Sequence, residues 1–192
     1  MKKQLKHSQF VLTQKQVKTL IDCPDNFRDR LIFKMLAYTG IRREELINIF
    51  ISDIDFKNLL IRVVGKGNKE RFVPMTPDIR TDILFYLDKR KKGYLFPAKK
   101  IKGAPLNPGR INSMLRSTGE KAEIKNPNPD LKFINPHIFR HTFARLCIDR
   151  GMDFPTLRDI MGHSSINVTL DYYASTPLKT IQKKYSEIMA FA

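Results

Sequence analysis

The sequence predicts a mainly helical domain with one small antiparallel sheet, an α+β fold. Three observations predict it. Apolar residues recur at helical spacing through most of the 192-residue chain. Residues 59–75 break that period with two strand-like runs around a glycine turn. The composition, 42% hydrophobic and 28% charged, is that of a folded domain with an ordinary core.

The elements follow in order. Thr13 reads as a helix N-cap ahead of Val17, Leu20 and Ile21. A second helix follows Asn26, with Phe27, Leu31, Met35 and Tyr38 on one stripe, and Gly40 stops it. A short third helix starts near Arg43 and holds Leu46, Ile47 and Phe50. Leu59–Val64 and Arg71–Met75 read as a hairpin turning at Gly65-Lys66-Gly67-Asn68. Its rim is basic, with Lys66, Lys69 and Arg71. Pro77 suits the first turn of a helix to about Lys91. Residues 98–108 and 124–136 read as loops, and a helix from about Asn107 to Glu123 lies between them. Helices return over His137–Asp149, ended by Gly151, and over Pro155–Met161, ended by Gly162. A last helix places Leu178, Ile181, Tyr185 and Ile188 on one face.

Charge narrows the partner. With 35 Lys+Arg against 19 Asp+Glu the net charge is +16, an excess suited to a polyanion and above all to nucleic acid. The positive charge is spread along the chain, unlike that of a basic amphipathic membrane helix. No apolar run approaches the roughly 20 residues of a membrane span. The start, MKKQLKHSQF, is basic but lacks the apolar core of a signal peptide. The expectation is a cytoplasmic protein with no membrane partner. Cys23 and Cys147 lack metal-ligand spacing, and Cys147 reads as a small core residue.

Several residues can do chemistry on a phosphate. His137 and Arg140 are three apart on a helix and share a face. Arg42 opens a helix, where anions are favoured, although alone it is better read as a solvated surface arginine. Lys66 sits on a turn that can enter a groove. His137 and His141 have zinc-ligand spacing, but no Glu stands between them as a base and Arg140 repels a cation. The adjacent Tyr172 and Tyr173 taken alone read as core or interface aromatics.

In combination the order Arg, Lys, His-x-x-Arg, Gly-His, Tyr resembles the tyrosine recombinase (phage integrase) family, Xer- and Cre-like, which shares its chemistry with type IB topoisomerases. The matching stretches are Thr39–Leu46 (TGIRREEL), Gly65–Arg71 (GKGNKER), Pro136–Phe143 (PHIFRHTF), Met161–Ser165 (MGHSS) and Thr169–Tyr172 (TLDY). The resemblance implies that family's catalytic-domain fold and a catalytic set. Arg42 and Arg140 would hold the scissile phosphate, and Lys66 would protonate the departing 5′ oxygen. His137 would assist proton transfer, His163 would hydrogen-bond the phosphate, and Tyr172 would be the nucleophile. Glu45 matches a supporting acid and His141 a structural histidine. Arg43, Lys69 and Arg71 are expected on DNA. Two positions depart from the family: Glu44, where a small residue is frequent, and Ala174, where His is frequent. Tyr173 is a rival nucleophile. The family spacing from His163 favours Tyr172.

This residue set suits the implied reaction. Two guanidiniums in fork geometry neutralise the charge that grows on the phosphate oxygens. Nearby cations stabilise a phenolate whose free pKa is about 10. A proton donor to the leaving alkoxide is worth roughly 10²–10⁴ in rate. The resemblance therefore implies strand cleavage and rejoining through a 3′-phosphotyrosine without metal, cofactor or ATP. It implies double-stranded DNA as partner and self-assembly on it as a tetrameric synapse. The alternatives are topoisomerase-like relaxation and a catalytically silent DNA binder. Residues 1–192 are expected to be one catalytic domain, with the N-terminal core-binding DNA-clamp domain of relatives absent from this chain, so that it is a fragment or a compact stand-alone enzyme. Residues 177–192 are expected to form a helix that docks on a neighbouring protomer.

Overall fold

A computed structural model describes residues 11–65, 67–126 and 133–162. Lys66, His163, Tyr172, Tyr173 and the helix expected at 177–192 lie outside them. The elements are helices α1 (Gln14–Asp22), α2 (Phe27–Thr39) and α3 (Arg43–Ile47), strands β1 (Ile54–Asp55), β2 (Leu60–Val64) and β3 (Glu70–Pro74), then helices α4 (Pro77–Leu87), α5 (Pro108–Lys121), α6 (Pro136–Asp149) and α7 (Phe154–Met161). A single turn of 3₁₀ helix, Ile51–Asp53, leads into β1. The expected α+β class is what forms. No helix of the described residues is long and apolar enough to cross a membrane.

Local caps set most helix starts. Thr13 makes a reciprocal capping box with Gln16. Asn26, Thr76, Asn107 and Asn135 each accept a backbone N–H of the first turn, and Pro77, Pro108 and Pro136 occupy first-turn positions where no N–H is needed. α2 is central. Leu31, Ile32, Phe33, Met35 and Leu36 are all buried, so apolar contact covers most of the helix and not one stripe, while Arg30 and Tyr38, the latter expected on the apolar stripe, are exposed. α1, α4 and α6 pack around it.

β1–β2–β3 is an antiparallel meander. The inward face holds Ile61, Val63 and Val73, and Val63 stands opposite Arg71. The outward face holds Arg62, ion-paired to Asp53 and Glu70, opposite an exposed Phe72. The hairpin closes where the Gly65 N–H bonds the Lys69 carbonyl at 2.8 Å, with Gly67 and Asn68 at positive φ. β3 then packs on α7.

Two expectations are corrected and one element is added. Phe50 is not on the third helix, which ends at Ile47. It bridges to Tyr94 and stacks on its ring. α4 stops at Leu87, short of Lys91, because Asp88 turns to φ 51°. β1 was not expected, since two residues form a strand only where β2 offers an edge.

Gly40 ends α2 at φ 65°, and a Cβ there would lie 2.5 Å from Cδ1 of Phe143 on α6. Gly40→Ala therefore combines backbone strain with overpacking at the α2–α6 contact. It is expected to cost about 2 kcal/mol or more of stability. Denaturant unfolding should show a lower midpoint with an unchanged slope.

Candidate phosphate-binding site

The site is built around the C-terminus of α7, where the chain reverses at Gly162 (φ 64°). The last carbonyls of a helix have no partner within it and lie at the negative end of its dipole. Here three arginines from three other parts of the chain meet them. Arg71 Nε donates to the Ile160 carbonyl at 2.7 Å. Arg140 Nη2 donates to the Met161 carbonyl at 2.6 Å, and its Nη1 donates to the Gly40 carbonyl. Arg42 Nη1 reaches the Met161 carbonyl at 3.3 Å and its Nη2 the Gly162 carbonyl at 3.1 Å. Arg42 and Arg140 thus share one acceptor oxygen.

Glu45 stands behind Arg42. It is 5% exposed and faces two guanidiniums. Arg71 Nη1 and Nη2 donate to its two oxygens at 2.8 and 2.7 Å. The Arg42 backbone N–H and Nη1 donate to the same oxygens at 2.8 and 2.9 Å. Burial pushes the Glu45 carboxyl up, but hydrogen bonds and charge from Arg71 and Arg42 outweigh it and hold the pKa at about 2. Glu45 is an anion throughout the physiological range, and it fixes Arg42 from behind.

The other expected residues fall as follows. Arg140 is 6% exposed, while His137, on the first turn of the same helix, is exposed. His141 is half-buried; burial first, then the charges of His137 and Arg140, lower its pKa to about 4, so it is neutral at pH 7. Cys147 packs on the small cluster between α6 and α7, and burial pushes its thiol up to about 11, as suits a core residue. Arg43 is bound to the exposed Glu44, and Lys69 is exposed on the hairpin turn.

Arg71 is not on the hairpin rim. Its side chain is 12% exposed and points into the domain. The signal was present in the sequence, because strand alternation puts Arg71 on the same face as Val73, the buried face. The backbone carbonyls of Gly40, Ile160 and Met161 were not foreseen either.

Acid titration tests these environments. The unfolded His141 takes up a proton near its ordinary 6.5 and the folded one only near 4, so stability falls as pH drops through that window. Glu45 acts lower. Its contribution is complete above the ordinary 4.5 and is lost as pH falls towards 2. The Glu45 shift corresponds to roughly 3 kcal/mol. In Glu45→Gln the pH dependence of the unfolding midpoint should be flatter below pH 4.5 and unchanged between 6.5 and 4.5.

Known proteins share the sequence pattern and the fold. Residues 11–179 match the phage integrase family. Tyrosine recombinase XerA of Pyrococcus furiosus is 36% identical over 167 residues, covering 84% of this chain and 56% of the relative. Tyrosine recombinase XerD of Staphylococcus aureus is 30% identical over 188 residues, covering 92% of this chain and 61% of the relative. The crystal structure of XerA recombinase superposes with a TM-score of 0.77 at 31% identity, over 94% of this chain and 65% of that one. The chain therefore spans about half to two thirds of the length of the relatives it matches. The fold is that of a tyrosine recombinase catalytic domain. The chain belongs to the phage integrase family, the family of the tyrosine recombinases.

Proposed function

We propose that the chain is the catalytic domain of a site-specific DNA recombinase. Arg42 and Arg140 hold one backbone phosphate. The Tyr172 hydroxyl attacks it, the 5′ oxygen leaves with a proton from Lys66, and a 3′-phosphotyrosine forms. His137 assists proton transfer and His163 hydrogen-bonds the phosphate. A second 5′-hydroxyl reverses the step on a partner strand. The bond energy is kept in the phosphotyrosine, so neither ATP nor a metal is needed. Copies assemble on double-stranded DNA as a tetramer, and the reaction takes place in the cytoplasm, where the DNA lies.

One observation carries this reading. Arg42 and Arg140 come from segments about a hundred residues apart, yet their guanidiniums meet on the Met161 carbonyl. Two guanidiniums that meet on one oxygen can meet on one phosphate. The oxygen they share is one residue before Gly162, and the next residue is His163. The net charge of +16 supports a DNA partner, and the exposed Lys69 and the partly exposed Arg43, paired to Glu44, are offered to the phosphate backbone.

The test is covalent trapping. Nicked duplexes with a randomised window are incubated with the protein, and protein-bound DNA is recovered after denaturation in SDS. The expected result is an adduct enriched in one duplex sequence. Nonspecific relaxation of supercoiled plasmid, without sequence enrichment, would instead point to topoisomerase-like action.

A further inference from the structure

The geometry points to Arg71 as a positioning residue for strand cleavage, one that joins the three blocks bearing Arg42, Lys66 and His163 into a single unit. The inference rests on the recombinase reading above.

Each link is a contact. Towards Arg42, Arg71 binds both oxygens of Glu45, at 2.8 and 2.7 Å, and Glu45 in turn holds the Arg42 backbone and guanidinium. Towards Lys66, the pair packs on Gly65. A Cβ there would lie 3.4 Å from Glu45 Oε1 and 3.8 Å from Arg71 Nη1. Towards His163, Arg71 Nε bonds the Ile160 carbonyl at 2.7 Å, and a Cβ on Gly162 would come within 2.9 Å of Arg71 Nη1. Gly65 and Gly162 are the residues immediately before Lys66 and His163. A guanidinium is needed here. Its planar fork spans a carboxylate with one edge and still has Nε for a carbonyl, whereas an ammonium is a point charge.

The second effect is electrostatic. A single carboxylate beside Arg42 would cancel the charge that should act on phosphate. Glu45 instead lies between two guanidiniums, so the trio keeps one net positive charge. The Arg71–Glu45 contact is largely shielded from water, where such balances act strongly, while the Arg42 side chain, against the same buried Glu45 carboxylate, is 35% exposed. Removing Arg71 leaves Glu45 to draw on Arg42 alone.

The test compares Arg71→Gln, Arg71→Lys, Glu45→Gln and the double variant Arg71→Gln/Glu45→Gln, using one duplex selected by trapping. Two quantities are measured: the single-turnover adduct rate at saturating duplex, and the Kd for the intact duplex as a function of salt. A positioning role predicts a saturated rate lower by about 10- to 100-fold in Arg71→Gln, with Kd and its salt dependence unchanged. Arg71→Lys should lose rate too, because charge alone does not replace the fork. The double variant should be faster than the product of the two single losses, since a neutral amide no longer draws on Arg42. Circular dichroism and thermal melting confirm that each variant is folded, with Arg71→Lys as the mildest change.

A weaker Kd, a salt slope reduced by about one and an unchanged saturated rate would make Arg71 a phosphate contact and overturn the inference. Strictly multiplicative losses in the double variant would overturn the electrostatic part. Wild-type adduct with an undiminished rate in Arg71→Gln refutes this inference alone. Absence of wild-type adduct refutes the recombinase reading and this inference with it.

Discussion

Arg140→Lys is expected to slow adduct formation by about 10²–10³-fold at saturating DNA while DNA affinity changes little. The size follows from what Arg140 is asked to do. Removing one preorganised donor from a developing oxyanion typically costs that much. Arg140 is almost wholly buried, and its two Nη groups are placed by the Gly40 and Met161 carbonyls. Those carbonyls come from the ends of α2 and α7, so the guanidinium plane is set by three helices at once. Lysine keeps the charge but cannot bridge both carbonyls and also face a phosphate. Arg140→Ala should be worse for stability, because it takes the Arg140 donor from the Gly40 carbonyl, leaves the Met161 carbonyl only the longer bond from Arg42, and opens a cavity. Thermal melting should therefore rank wild type above Arg140→Lys and Arg140→Lys above Arg140→Ala. Rapid-quench adduct assays check the rate.

Tyr172→Phe is expected to abolish the adduct altogether. Phenylalanine fills the same space without the oxygen that would carry the phosphoryl group, so no slower route through that position exists. Tyr173→Phe should keep the adduct at close to the wild-type rate. Both variants should bind duplex DNA as wild type does, since a neutral hydroxyl adds nothing to the counterion-release term that dominates affinity. A filter-binding measurement beside the trapping assay separates loss of chemistry from loss of binding.

Much of the fold is legible because its punctuation is local. Thr13, Asn26, Thr76 and Asn107 cap helices through bonds to their own first turns, and Gly40 and Gly162 take the left-handed conformation that ends a helix. These choices are made within a few residues and survive folding. β1 and the end of α4 depend on remote partners, and neither has a strong local signature. Burial of α2 over most of its circumference, all but the side of Arg30 and Tyr38, also comes from its neighbours, α1, α4 and α6, and not from its own period.

The site divides in the same way. The identities of Arg42, Glu45 and Arg140 stand out as motifs, and the structure brings all three to the end of α7. What gathers them is less visible in a sequence. The acceptors are backbone carbonyls of Gly40, Ile160, Met161 and Gly162, which any residue type would supply. Arg71 shows the difference between a local and a nonlocal reading. Read by charge it belongs on a DNA-facing rim. Read by strand alternation, opposite Val63 and beside Val73, it belongs inside. The second reading matches its bonds to Glu45 and Ile160.

In the proposed reaction a phosphate held by Arg42 and Arg140 is attacked by Tyr172. Mass spectrometry of the trapped wild-type adduct, after nuclease and protease digestion, tests it most directly. The expected product is a nucleotide joined through its 3′ phosphate to Tyr172. A nucleotide on Tyr173 or any other residue, a 5′ linkage, or no adduct from the full gene product on any duplex, would contradict it.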